Sequence, residues 1–182
     1  MDITGVLITV VLLLLIAGVW IYNRLVRNRN LVSEAWAGID VQLQKRSELV
    51  PNLVQTVKAY AQHESSVFED VTKMRTTGET GVDARAQRET ALSRALGRLF
   101  ALAEDYPDLK ANEGFQQLHS SLVEIEDHLQ YARRYYNGAV RDNNNQVESF
   151  PSNVVANFFK FSQAQFFEIE LASQRGTPNV DL

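Results

Sequence analysis

From Ile3 to Tyr22 the chain reads ITGVLITVVLLLLIAGVWIY, with no charge and, apart from the amphipathic aromatics Trp20 and Tyr22, only Thr4 and Thr9 as polar residues. Twenty helical residues rising about 1.5 Å each span roughly 30 Å, the thickness of a bilayer hydrocarbon core. The pattern then changes. From about Asn28 to Met74 apolar residues step by three and four through Val32, Trp36, Ile39, Leu43, Val50, Leu53, Val57, Tyr60, Val67 and Val71. This is a coiled-coil-like seam, interrupted by charge only at Arg46 and Glu64. No Gly or Pro lies between Gly18 and Gly38, so the apolar segment is expected to run unbroken into this second helix. Pro51 removes one helical hydrogen bond but leaves the seam in phase, which predicts a kink and not an end.

The polar, glycine-containing stretch from Thr76 to Asp83 predicts a loop, with Asp83 as N-cap of a helix from about Ala84 to Asp105. Leu92, Leu96, Leu99, Leu102, Ala103 and Tyr106 form its apolar face, and Pro107 is expected to stop it. Asn112 is the expected N-cap of a fourth segment carrying Phe115, Leu118, Leu122, Ile125, Leu129, Ala132, Tyr136 and Val140, fading through Asn143-Asn144-Asn145. Ser152 or Asn153 then starts a last helix predicted to reach about Ala172. Its wheel gathers Val154, Val155, Phe158, Phe159, Phe161, Phe166 and Ile169 on a core-facing arc and leaves Phe167 and Leu171 outside it. No alternating strand pattern occurs. The expected fold is all-α: one N-terminal transmembrane helix continuing into an antiparallel long-short-long-short four-helix bundle.

Flanking charge gives the apolar segment a direction. Residues 1–23 contain no Lys or Arg, whereas Arg24, Arg27 and Arg29 come immediately after. Positive charge stays cytoplasmic, which puts the N-terminus outside and the rest inside the cell. A cleaved secretory signal is the rival, but it calls for a basic start and a small-residue junction. Here Asp2 leads, and Ala17-Gly18-Val19 runs into Trp20 and Tyr22, which suit an interfacial aromatic belt. Ile3, Leu12, Leu15, Trp20, Tyr22, Arg24 and Arg27 are the anchor candidates. The expected organisation is an anchor over 1–23, a cytoplasmic bundle over 24–172 and a tail over 173–182.

The chain holds 18 Lys and Arg against 22 Asp and Glu, a net charge of −4. A mildly acidic chain without a basic stripe lacks the footprint of a nucleic-acid binder. It has no cysteine, which removes disulfides, thiolate metal sites and thiol catalysis together. Glu-x-x-His, the bundle signature of di-iron sites, is absent. His63-Glu64 starts like a zincin helix, but Val67 stands where the second His belongs. Glu124 with His128, and His119 beside Ser120 and Ser121, are isolated pairs and not constellations. No phosphate-binding glycine loop or nucleophile elbow occurs. No cofactor, metal or catalytic residue is expected.

Arg46, Glu64, Glu104, Glu126 and Arg133 lie on or beside the apolar faces. They suit a buried ion-pair network that fixes helix register, with Glu104 or Glu126 facing Arg46, or else a site that senses protons or a ligand. Phe167 and Leu171, off the core arc, are the candidate assembly contact.

Several segments together resemble the LemA family. They are Tyr22-Asn23-Arg24-Leu25-Val26, Asn28-Arg29-Asn30, Trp36 to Leu43, Arg46 to Val54, Tyr60, His63-Glu64, Glu104 to Asn112, Arg133 to Asn137 and Phe150-Pro151-Ser152-Asn153. The likeness spans about residues 22–167 in order; Asn143-Asn144-Asn145 departs from a more usual Tyr-Asn pair. The resemblance implies a bacterial protein with one N-terminal membrane helix and a cytoplasmic antiparallel bundle, in a family with no assigned enzymatic activity. A related branch, the MamQ-type magnetosome membrane proteins, is linked to forming an internal membrane. The expected function is that of a non-enzymatic structural protein that self-associates and organises or remodels the bacterial inner membrane. Its expected partners are the lipid bilayer, further copies of itself and other membrane proteins. An adaptor or sensor that binds a protease or secretion component is the alternative.

Overall fold

The structure, a computed structural model, describes residues 2–61, 68, 69, 71 and 81–168. Among them every regular element is helical: α1 Ile3–Lys58, α2 Val82–Ala103, α3 Pro107–Lys110, α4 Glu113–Glu148 and α5 Ser152–Phe158. Helix α1 joins the apolar segment to the seam without a break and passes through Pro51. Val50, Leu53 and Val57 around that proline are buried, so packing holds the helix where one backbone bond is missing. It ends at Lys58 in a turn at 59–60; in the stretch expected to continue to Met74, residues 68, 69 and 71 are helical, and 62–67, 70 and 72–74 lie outside the described residues.

Other boundaries also differ from expectation. Gly81 (φ 135), not Asp83, occupies the N-cap of α2, and Asp83 lies in the first turn, where its negative charge complements the helix dipole. Helix α2 closes at Ala103. Pro107 does not stop it but opens α3 from the first position, where its missing N–H costs nothing. Asn112 caps α4 as expected, its Oδ1 accepting from the Phe115 amide at 3.0 Å. Helix α4 continues through Asn143-Asn144-Asn145 to Glu148. The last helix stops at Phe158, and residues 161–168 have no regular structure.

The chain divides into two compact units. The first comprises residues up to Gly38 and Ala132–Phe166. Here Asn28 Nδ2 donates to the Asp142 carbonyl at 3.4 Å, and the Trp36 and Tyr136 rings lie 5.3 Å apart, so the contacts run in opposite chain order. Ile21, Leu25 and Ala156 form a small core with Val147, Val155 and Phe161. Asn144 pairs with Ala164 through both amide atoms, Nδ2 to carbonyl at 2.9 Å and Oδ1 from the amide N–H at 2.8 Å. Tyr136 Oη adds a bond to the Gln165 carbonyl at 2.8 Å. Polar side chains of α4 thus bind the irregular segment that the wheel assigned to helix.

The second unit comprises Ile39–Tyr131 and the residues from Phe167 onward. Its core joins Val50, Leu53 and Val57 of α1 to Leu92, Leu96, Leu99 and Ala103 of α2, Leu109 of α3 and Phe115 and Leu122 of α4. Phe167 is fully buried in the chain itself. This corrects its assignment to an assembly surface: with no helix at 167, the wheel that placed it off the core does not exist. Leu171 lies outside the described residues.

Candidate functional site

Two features stand out from the packing: the N-terminal turns of α1 and a charged cluster inside the second unit. Along α1 the apolar side chains from Ile3 to Leu15 are all exposed, Leu12 at 54% and Leu15 at 64%. That patch encircles the helix and exceeds what soluble surfaces carry. The Thr9 hydroxyl donates to the Gly5 carbonyl at 2.9 Å, so one of the few polar groups of the segment is satisfied within the helix. By length and composition the segment is sufficient to cross a membrane. Burial begins at its end, where Ile21 and Leu25 turn into the first unit's core. Trp20 and Tyr22 stay exposed at this level, and the Arg24 guanidinium sits 5.4 Å from the Trp20 ring centre. Arg29 covers the Phe161 ring at 5.3 Å, and Arg27 is exposed.

In the second unit, Arg46 points into the core with its side chain only 7% exposed. Its Nη1 lies 3.4 Å from Glu89 Oε2 and 3.1 Å from Glu126 Oε2, and its Nη2 donates to Ser93 Oγ at 3.0 Å. Three helices therefore meet on one guanidinium. Burial pushes the Glu89 carboxyl above its ordinary value; Arg46 opposes that shift and the neighbouring Glu126 reinforces it.

Of the charges singled out in the sequence, Arg46 and Glu126 are brought together. Glu104 is not part of the cluster: its side chain is 64% exposed and pairs with Lys110 at the surface. Arg133 is half-buried in the first unit, and Glu64 lies outside the described residues. Glu89 and Ser93 were missed. Glu89 stands three residues before Leu92 and so extends the Leu92, Leu96, Leu99 stripe by one position; the register of α2 marked it.

A cleft of about 240 Å³ in the second unit is lined by Phe100, Ala103, Glu104, Lys110, Phe115, Gln116 and His119. His119 packs edge-on against Phe100 at 4.6 Å, which makes it part of an aromatic contact. Among the described residues no group of three His, Cys, Asp or Glu is placed to hold a metal. The chemistry the molecule offers is amphipathic and electrostatic: an apolar helix with an aromatic and cationic collar, and a buried charge cluster.

Known proteins similar to this chain include magnetosome proteins and a LemA protein. Magnetosome protein MamQ 2 of Paramagnetospirillum magneticum is 26% identical, over 81% of this chain and 64% of its own length. Magnetosome protein MamQ of Magnetospirillum gryphiswaldense is 23% identical, over 72% and 58%. Protein LemA of Metamycoplasma hominis is 25% identical, over 74% and 63%. The chain thus spans 58–64% of the length of these relatives. The LemA family profile matches residues 35–182, most of the chain. With that match and the long apolar-to-amphipathic helix in view, the chain belongs to the LemA family.

Proposed function

We propose that this protein is a non-enzymatic structural protein of the bacterial inner membrane, anchored by residues 3–22, that self-associates and organises or remodels the bilayer. The observation that carries the reading is the unbroken helix Ile3–Lys58, exposed and apolar on all sides at its start and packed into a core at Ile21 and beyond. A helix apolar all round is stable in lipid and not in water. Ala17-Gly18-Val19 lies inside this helix, followed by Trp20 and Tyr22, which supports a retained anchor over a removed signal. Arg24, Arg27 and Arg29 favour a cytoplasmic side for the domain C-terminal to the span.

The opposite chain order of Asn28–Asp142 and Trp36–Tyr136 in one unit supports an antiparallel arrangement of α1 and α4, as the long-short-long-short bundle requires. The Arg46 cluster suits a register device, since a buried guanidinium with specific partners penalises sliding. Val123 at 49% exposure and Tyr131 at 66%, eight residues apart on α4, supply apolar surface for self-association. The relatives named magnetosome proteins favour an organising role over a chemical one, by analogy.

The test is to extract the full chain into native-like lipid particles and image it. Homomeric particles, together with vesicles whose shape changes on reconstitution, are expected. Monodisperse monomers in unaltered vesicles refute the reading, and monomers held by a different membrane protein point to the adaptor alternative.

A further inference from the structure

Within the first unit, α4 approaches α1 in reverse order: Tyr136 stands by Trp36 and Asp142 by Asn28. Continuing at the same rise, the end of α4 reaches the level of Tyr22, and Val147 does pack on the Ile21–Leu25 core. The turn after Glu148 and helix α5 are therefore held level with the last residue of the apolar span.

Helix α5 has two apolar faces. Ser152 and Ala156 are buried and Val155 is half-buried against the core. Phe150, Val154 and Phe158 recur at intervals of four and are 82%, 61% and 80% exposed. Val154 and Phe158, four apart on α5, share one outward face, and Phe150 is exposed in the turn before the helix. Phe159, half exposed, places its ring 4.7 Å from Tyr22 and 5.0 Å from Phe158. Lys160 then turns outward in the left-handed region at φ 58. The Lys160 amide donates to the Asn157 carbonyl at 3.3 Å and the Phe161 amide to Ala156 at 2.9 Å. That pair of bonds is a Schellman closure, which fixes the aromatic end in place.

We infer that Phe150, Val154, Phe158 and Phe159 form a second membrane contact, which inserts into the headgroup–acyl boundary of the leaflet where the apolar helix emerges. Three observations select lipid as the occupant. The patch is continuous with the exposed apolar surface of the span through the Tyr22–Phe159 contact. Its level is that of the span's end, marked by Trp20 and Tyr22. Its flanks carry two cations, Arg24 and Lys160, against one carboxylate, Glu148, whose Oε1 accepts from Gln163. Aromatics with basic neighbours at that depth are what a headgroup region accepts. The consequence is mechanical: a helix held at two points cannot spin freely, so the first unit keeps a fixed face toward the bilayer.

The inference rests on the reading of residues 3–22 as a bilayer span, and the experiment separates the two. The chain has no native cysteine, so full-length single-cysteine variants Leu12→Cys, Phe158→Cys and Ala37→Cys can each carry one small fluorophore. Ala37 is exposed and lies fifteen residues beyond Tyr22, about 22 Å along the helix. Each is reconstituted in phosphatidylcholine–phosphatidylglycerol vesicles and quenched by doxyl lipid or aqueous iodide. Lipid quenching at Phe158 should be several-fold stronger than at Ala37, and iodide quenching several-fold weaker. Lipid quenching at Leu12 with Phe158 as open to iodide as Ala37 overturns the second contact and leaves the anchor standing. No lipid quenching at Leu12 removes the anchor and the inference with it. Shielding of Phe158 from both quenchers means that protein covers the patch, which also overturns the inference.

Discussion

Arg46→Met keeps the apolar stem of the side chain and deletes the guanidinium, with its charge and its N–H donors. In the native cluster one guanidinium serves two carboxylates, at 3.4 and 3.1 Å, with Ser93 as a neutral acceptor. Each attraction amounts to about 5 kcal/mol gross at an effective dielectric near 20, most of it offset by the desolvation of both partners. The mutation leaves that desolvation behind. Glu126, with a side chain 32% exposed, falls back on water, whereas Glu89, 10% exposed, does not. An uncompensated buried charge costs about 3–5 kcal/mol, but Glu89 has an escape in protonation. Protonating a carboxyl of ordinary value 4.5 at neutral pH costs about 3.4 kcal/mol, at ~1.36 kcal/mol per unit.

The loss is therefore capped near 3 kcal/mol at neutral pH, and at a pH of about 5 the cap falls below ~1 kcal/mol. For a chain of this size the neutral-pH value corresponds to a fall of about 6–12 °C in Tm. Thermal unfolding of the full chain in detergent, followed by far-UV circular dichroism at both pH values, reads this directly. Adding Glu89→Gln to Arg46→Met should recover most of the neutral-pH loss, because no stranded charge remains. An unchanged midpoint, equal losses at the two pH values, or a double variant no better than the single one would refute the argument.

The same contacts predict four further outcomes. Because burial raises Glu89 above 4.5, its contribution to stability is full below that pH and is lost as pH rises through the raised value; Glu89→Gln alone, with Arg46, Arg85, Arg88 and Glu126 unchanged around it, should gain on the native chain across that window in a pH series of unfolding midpoints. Asn144→Ala strands both backbone groups of Ala164 and should cost about 1–3 kcal/mol, read as a lower midpoint with faster amide exchange at Ala164. Phe167→Ala should cost about 3–5 kcal/mol as a core deletion, and it should lower helicity in melts before it changes particle size. Lys160→Gly relieves a left-handed lysine and should stabilise by up to about 1 kcal/mol, less what glycine loses in chain entropy, again read from the unfolding midpoint.

Helix identity and the core faces of α2 and α4 were legible because a three-four spacing leaves little freedom: Leu92, Leu96, Leu99 and Ala103 are buried where the spacing puts them. The continuity of α1 was legible for the same reason, with no Gly or Pro to interrupt it between Gly18 and Gly38. The charge cluster was half legible. Arg46 and Glu126 sit on visible seams, but the choice between Glu89 and Glu104 depends on which turn of α2 faces Arg46, and no spacing within one helix encodes that.

The end of the chain misled for a different physical reason. A helix wheel assumes that the helix continues, and the usual stop signals are Gly or Asn in the left-handed position and Pro just beyond. Here that position is Lys160, a residue that bears steric strain there and so gives no warning. What holds it is context. Phe161 closes on Val155 and Ala156, and Asn143 and Asn144 capture the carbonyls of Ser162 and Ala164. The triple asparagine that marked a departure from the family pattern is thus the partner that makes an irregular segment favourable. Once helix is denied to residues 161–168, Phe167 is free to enter the core. The closure at Lys160 and Phe161 follows directly on Phe159, whose ring lies 4.7 Å from Tyr22, so the stop that defeats the wheel falls where the exposed residues of α5 meet the end of the apolar span.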